Sequence, residues 1–418
     1  MLKPSTLAMI LAGGRVDELG VLTFYRPKSA VPFGGFARVI DFALSNLMRS
    51  SIELVAILSQ YRSYSLINHI GTGAAWDMIG RYRGVSILPP FKGAESADWY
   101  RGSADAVYQN LDFVRYHAPE QILILSGDHV YQMDYRELIR YHQDKGADLT
   151  AAFIEVGRGQ AHRFGIGEIE FEDDRGGRLK GYEEKPVAPK GNLASLTILC
   201  FRPEVLYAML EANQKQTSFE FGRDIIPMML KQGCKVYGYR YRGYWGYTRT
   251  IGEYWRTSMD LLGHTPKINM EEWGLRTNLE HRDIRDYQPL LVGSDAVLDN
   301  SMAYNGCQVL GTVRNSILFP GVKVEKGAVV TDSILFFNNT VEQGAQVTRM
   351  VSDVNTVFGA GCRVGGPPLP GDTGGITVVG WNNQVPAGTT IGRGCTVFPR
   401  LAPEKWTVAE LPDGEVLR

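Results

Sequence analysis

The sequence predicts an α/β protein in two parts, a mostly parallel sheet with helices on both faces and then a parallel β-helix. Three observations carry this expectation. Up to about residue 262, short apolar runs alternate with helix-like stretches, the pattern of strand-helix-strand units. The first run, Met9 to Leu11, leads into Ala12-Gly13-Gly14, the kind of turn whose backbone N–H groups cradle phosphate. After about residue 290 the chain turns to short repeats with an aliphatic residue, a turn glycine and little helix signal.

In the first part LVAILSQ (54–60), QILILSGD (121–128), ADLTAAFIEV (147–156) and CKVYGYRY (234–241) read as strands. LDFVRYHAP (111–119), YRELIRYHQDKG (135–146) and RPEVLYAMLEANQ (202–214) read as helices. Ligands of such sheets sit at the carboxyl ends of strands, which directs attention to Gly13-Gly14, Gln60 and Asp128. Residues 263–290 are polar and irregular and read as a linker. In the second part NSILFPGVKVEKGAVV (315–330) is followed by DSILFFNNTVEQGAQV (332–347), with Ser316 matching Ser333 and Gly327 matching Gly344 at a spacing of 17 residues. The expected domains are therefore 1–262, a linker at 263–290, and a β-helix over 291–418. A β-sandwich with accidental similarity is the alternative for the second part, and the matched SILF segments argue against it.

Composition narrows the function. The chain has 418 residues, 44% of them hydrophobic, and a net charge of −1, so nucleic acid and anionic membranes are not expected partners. The five cysteines are scattered without a CxxC pair, which argues against a disulfide framework or a zinc site. No apolar run reaches the roughly 18 residues of a membrane span, and the N-terminus reads as a first strand. A soluble cytoplasmic protein is expected. The last of seven histidines is His281, ahead of the repeats. Acyltransferases of this β-helix kind generally need a histidine base in the coils, so the β-helix is expected to be structural, oligomerising or regulatory.

Seven stretches lie in an order that resembles one family. They are RPKSAVPFGG (26–35), RVIDFALSN (38–46), SQYRSYSLINHI (59–70), WYRGSADAVYQN (99–110), LSGDHVYQMDY (125–135), EEKP (183–186) and FGRDIIP (221–227). Together they resemble the glucose-1-phosphate adenylyltransferases, or ADP-glucose pyrophosphorylases, throughout the first part and into the β-helix. The resemblance implies a Rossmann-like nucleotidyltransferase domain followed by a left-handed β-helix, in a protein of glycogen or starch synthesis. It implies ATP and glucose 1-phosphate as substrates, ADP-glucose and pyrophosphate as products, Mg²⁺ as cofactor, and a tetramer controlled by metabolites. In that reaction the sugar phosphate attacks the α-phosphorus of ATP. The protein aligns the phosphates and neutralises charge.

By resemblance, Leu11, Ala12, Gly13, Gly14 and Gln60 serve the nucleotide. Asp128 matches the first metal carboxylate, with a helix N-cap before Tyr135 as its structural alternative. Glu184 and Lys185 match residues that hold glucose hydroxyls and phosphate, and Tyr100, Gly165 and Ser195 match other parts of that pocket. Arg26 and Lys28 match basic residues near the phosphates. Arg38 and Asp41 read equally well as a structural ion pair.

Two departures bear on the chemistry. The family's loop reads GG-x-G-[TS]-R-L, and here Val16 takes the glycine position and Glu18 the position of the pyrophosphate-binding arginine. At ~4 Å and an effective dielectric near 20 each charge–charge interaction is worth about 4 kcal/mol and its reversal up to about twice that, enough to remove orders of magnitude in rate. The family's Y-W-x-D-x-G-T is here Tyr244-Trp245-Gly246-Tyr247-Thr248-Arg249-Thr250, so Tyr247 replaces the second metal carboxylate and Arg249 a glycine. A neutral phenol is a poor Mg²⁺ ligand. A milder departure is Thr197, where A-S-x-G has glycine. The expectation is a catalytically impaired homologue acting as a regulatory, sugar-phosphate-binding subunit in a homo- or hetero-tetramer with an active homologue. Glucose 1-phosphate or a related sugar phosphate is the expected ligand, with ATP or ADP-glucose as further ones, and Arg249 or Arg15 standing in for lost positive charge. The alternative is an active adenylyltransferase using Mg²⁺ and rearranged ligands, with Asp17, Glu18 or Glu253 rebuilding a metal site.

Overall fold

The computed structural model describes residues 5–14, 17–90, 99–280, 284–368, 375–406 and 409–418. Arg15, Val16 and His281 lie outside the described residues. By tertiary contact the chain divides into two compact units. The first comprises Met1–Gly14, Phe42–Ser63 and Ile70–Trp245, and the second comprises Arg15–Asp41, Tyr64–His69 and Gly246–Arg418.

The first unit is built on a nine-stranded sheet. Its strands are β1 (Thr6–Leu11), β2 (Leu54–Leu58), β3 (Gly84–Leu88), β4 (Gln121–Ser126), β5 (Leu149–Glu155), β6 (Gly165–Asp173), β7 (Gly176–Glu184), β8 (Leu193–Phe201) and β9 (Val236–Arg240), in the spatial order β3-β2-β1-β4-β8-β5-β9-β7-β6. β3, β2, β1 and β4 are parallel, as are β5 and β9. β8 runs against β4 and β5, and β7 against β9 and β6. The central strands are apolar runs because both faces are covered: Leu7, Met9, Ile122, Ile124, Leu149, Ala151, Phe153 and Phe201 are all fully buried. The expected helices form at Leu111–His117, Tyr135–Asp144 and Pro203–Asn213. Proline opens the last of these, where its missing N–H costs nothing.

From β1 the chain moves outward to β2 and β3, then returns to β4 on the other side of β1. That reversal of direction leaves a crevice at the carboxyl ends of β1 and β4, where Leu11 pairs with Ser126. Gly13-Gly14 and Asp128 follow those two residues directly.

Among the described residues the second unit contains a parallel β-helix of three sheets, with six, seven and seven short strands. The repeat seen in the sequence is its coil. Val313, Val330, Val347 and Val364 stack in one sheet, and Leu318, Leu335, Ser352 and Val379 in another. Ser316 Oγ accepts from the N–H of Ser333, and Ser333 Oγ from the N–H of Met350, which carries the 17-residue register into hydrogen bonding. Gly327 and Gly344 both sit at positive φ at equivalent corners. The same unit takes in the loop that starts at Asp17. Arg26 forms a buried ion pair with Asp353 at 2.9 Å, and Tyr254 donates to the carbonyl of Pro32.

No helix or strand occurs among the described residues of 263–290. Among the described residues no helix is long and apolar enough to cross a membrane. Cys200, Cys307, Cys362 and Cys395 are buried, Cys234 is half-buried, and all five are free thiols.

Candidate functional site

In the first unit a cavity of about 360 Å³ opens beside the end of β1, where Leu11 lines it. Glu184, Lys185, Ser195 and Thr197 line it too. Glu184 and Lys185 lie at the end of β7, and Ser195 and Thr197 lie in β8. The Tyr182 hydroxyl donates to Glu184 Oε2 at 3.0 Å. Burial, then the carboxylate beside it, push the Tyr182 phenol well above its usual pKa, so it remains a donor. Glu184 is thus fixed with its second oxygen 3.9 Å from Lys185 Nζ. Two glycines make room for it. A Cβ on Gly222 would lie 2.3 Å from Glu184 Oε2, and one on Gly165 2.7 Å from the same atom.

Sequence reasoning missed several residues of this cavity. Ser103, Ser126, Tyr182, Glu220, Gly222 and Arg223 line it as well. Glu220 accepts from the N–H and hydroxyl of Ser103 at the start of the helix Ser103–Tyr108. The signal was present in the quoted stretches that hold Ser103, Ser126, Gly222 and Arg223. Chemically the cavity sets hydroxyls and carboxylates beside two cations, a mixture suited to a ligand with both hydroxyls and an anion.

The nucleotide positions occupy the crevice. The Ala12 N–H donates to the carbonyl of Leu58 at 2.9 Å, and Gly127 N–H to the carbonyl of Leu11 at 3.0 Å, fixing the turn at Gly13-Gly14. Gln60 brackets the backbone of Tyr100, accepting from its N–H at 2.7 Å and donating to its carbonyl at 3.4 Å. Tyr100 itself is buried, and its hydroxyl donates to the carbonyl of Leu88 and accepts from Asn110. Tyr100 thus packs with Gln60 and is not among the residues that line the cavity with Glu184.

Asp128 follows β4 and accepts from the Ser126 hydroxyl, with His129 Nε2 3.4 Å from the same oxygen. It does not cap the following helix. Asp134 does, accepting from the N–H of Arg136 at 2.9 Å.

The remaining predicted positions belong to the second unit. Glu18 and Arg249 form an ion pair, with Arg249 Nε and Nη2 both 2.8 Å from Glu18 Oε1. Arg249 Nη1 also donates to the Tyr247 hydroxyl at 3.3 Å. Lys28 is 2% exposed, with its ammonium 5.1 Å from the centre of the Tyr247 ring. Arg26 is committed to Asp353. Arg26, Lys28 and Arg249 thus each have an internal partner. Glu253 is also committed, to the N–H of Thr250 in a capping box. Arg38 and Asp41 do not form the side-chain ion pair that is one of their two readings. Asp41 accepts from the Arg38 backbone N–H and lies 2.6 Å from His69 Nε2, while the Arg38 guanidinium donates to the carbonyl of Ala30.

These residues do not fit a two-carboxylate Mg²⁺ site. Mg²⁺ wants carboxylate, phosphate and water oxygens in near-octahedral array. The Tyr247 position supplies a phenol tied to Arg249. No group of three or more His, Cys, Asp or Glu able to hold a metal occurs among the described residues.

Residues 7–263 match the nucleotidyl transferase family, and residues 292–370 match the GlmU-like C-terminal hexapeptide family. A curated glucose-1-phosphate adenylyltransferase of Desulforamulus reducens is 39% identical over 401 residues, covering 94% of this chain and 98% of that one. One from Thermotoga neapolitana is 42% identical over 425 residues, covering 98% of each. Another, from Acetivibrio thermocellus, is 37% identical over 417 residues, covering 97% of this chain and 96% of that one.

Proposed function

This chain belongs to the glucose-1-phosphate adenylyltransferase family of nucleotidyl transferases, and within that family we propose that it binds a sugar phosphate as a regulatory subunit with little or no adenylyltransferase activity. The observation that carries this is the ion pair between Glu18 and Arg249. These two positions correspond to the family's pyrophosphate-binding arginine and to the glycine after its second metal aspartate. The two substitutions answer each other. Glu18 neutralises the one new cation in the altered motif, and Arg249 neutralises the acid that replaced the loop arginine. A leaving pyrophosphate would meet a closed, neutral pair where the reaction needs positive charge.

The cavity around Glu184, Lys185 and Ser195 supports the binding half of the proposal. Its carboxylates can accept from sugar hydroxyls, and Lys185 and Arg223 can attract the phosphate. No step of this reading needs resident Mg²⁺. ATP or ADP-glucose would share the crevice at Gly13-Gly14. In a homo- or hetero-tetramer with an active homologue in the cytoplasm, ligand binding here would couple to activity elsewhere by linkage. The alternative of an active enzyme with rearranged ligands is disfavoured because Glu18 and Glu253 are already engaged.

Isothermal titration of the purified chain with glucose 1-phosphate, in Mg²⁺ and in EDTA, tests the binding half. Saturable binding of similar strength in both is expected. Absence of saturable binding in either would overturn it.

A further inference from the structure

Thr197 stands out in the backbone of the first unit. Fourteen described residues other than glycine have positive φ, and Thr197, at φ 52°, is the only β-branched one among them. A branched Cβ crowds the carbonyl in this region, so such residues are outliers. Most of the others are Asn or Asp or lie at corners of the β-helix, where the conformation is local turn chemistry. Thr197 lies inside β8. The register there slips: Ser195 pairs with Phe153 and Leu199 with Ala151, so the three residues 196–198 of β8 face Ala152 alone. The slip is a bulge, and bulges re-aim side chains. Ser195, Thr197 and Leu199 all line the cavity. Lys185, also at positive φ, lines the same cavity from just beyond β7. Strained residues gather where a ligand site over-determines them.

The surroundings of Thr197 indicate which part of a ligand it would meet. Its N–H donates to Ser195 Oγ at 3.4 Å. Ser195 lines the cavity together with Tyr182, whose hydroxyl donates to Glu184. This wall carries hydroxyls and a carboxylate, which repels phosphate and accepts from sugar hydroxyls. The cations of the cavity are Lys185 and Arg223.

We propose that Thr197 is a specificity-determining residue of this cavity, its hydroxyl presented from a bulged, left-handed position to a hydroxyl of the sugar ring and not to the phosphate. The inference rests on reading the cavity as a sugar-phosphate site. It predicts opposite signs for stability and binding in one variant. Thr197→Gly relieves the backbone and raises the ligand-free Tm by about 1–3 °C. It also weakens glucose 1-phosphate binding about 3- to 10-fold, the worth of one hydrogen bond. Thr197→Ser keeps the hydroxyl and stays within about 2-fold of wild type. Inorganic phosphate, measured as a competitor of glucose 1-phosphate, keeps its affinity in both.

Calorimetry and thermal unfolding of the full chain and both variants decide the matter. Loss of glucose 1-phosphate affinity in Thr197→Gly alone, with phosphate affinity kept, supports the role. Equal glucose 1-phosphate affinity in wild type and Thr197→Gly overturns it, as does a parallel loss for both ligands, while the sugar-phosphate reading of the cavity stands. A wild type that binds neither ligand overturns that reading and this inference with it.

Discussion

The ion pair between Glu18 and Arg249 can be taken apart by a double-mutant cycle of Glu18→Gln, Arg249→Gln and the two together. Two unit charges ~4 Å apart attract by about 1 kcal/mol in water and about 4 kcal/mol at an effective dielectric near 20. The side chains are 34% exposed at Arg249 and 44% at Glu18, so solvent screening places this pair near the lower figure. The Tyr247 hydroxyl adds a bond to the same guanidinium, which holds the geometry. A coupling of about 1 kcal/mol is expected, shrinking in high salt as the Debye length falls to about 3 Å at 1 M. Urea unfolding of the four proteins at low and high salt reads it. The same logic gives a sign. Glu18→Arg alone would set like charges against each other and should destabilise, and adding Arg249→Gly should relieve it. Additive midpoints across the cycle, unaffected by salt, would refute the claim that the two substitutions compensate each other.

Three further outcomes follow from single contacts. Gly222→Ala sets a Cβ 2.3 Å from Glu184 Oε2 and should weaken glucose 1-phosphate binding at least 10-fold by calorimetry, since the carboxylate must move. Arg26→Met strands Asp353, whose side chain is 2% exposed, and should cost about 3 kcal/mol in urea unfolding, whereas Arg26→Met with Asp353→Leu should cost less than that single change. Burial, and then Arg202, push His142 down to about 4 from its unfolded value of 6.5. Its neutral form bonds to Thr150 Oγ1, so the stability it confers is complete above pH 6.5 and is lost as pH falls toward 4, by up to about 3 kcal/mol. The urea midpoint of His142→Gln should vary less between pH 7 and 4.5 than that of wild type.

Periodicity placed β2, β4, β5 and β9 and the helices Leu111–His117, Tyr135–Asp144 and Pro203–Asn213 within about two residues of where they form, and it gave no strand at β3, β6, β7 or β8. β1, β4 and Tyr135–Asp144 are long, regular patterns bounded by glycine or a capping aspartate. The β-helix was legible because one coil repeats, and Ser316 and Ser333 mark the same hydrogen bond in successive coils. The reversal of β8 between β4 and β5 was not legible, because a strand buried on both faces reads the same in either direction. Motif matching found Glu184, Lys185 and Ser195, which do share a cavity. It grouped Tyr100 with them, whereas the Tyr100 hydroxyl turns to the carbonyl of Leu88, because spacing along the chain does not say which way a phenol turns. The pairing of Glu18 with Arg249 joins residues more than 200 positions apart, and no local pattern announces it. The same holds for Asp41, whose side chain pairs with His69, 28 positions along the chain, and not with the Arg38 guanidinium.

The most direct test of the central claim is ADP-glucose synthesis by the purified chain from ATP, glucose 1-phosphate and Mg²⁺, beside a variant carrying Val16→Gly, Glu18→Arg, Tyr247→Asp and Arg249→Gly. The account predicts that the natural chain is silent, or nearly so, and that the variant turns over. Turnover by the natural chain at an ordinary enzyme rate would contradict it, and would mean that other residues hold the pyrophosphate.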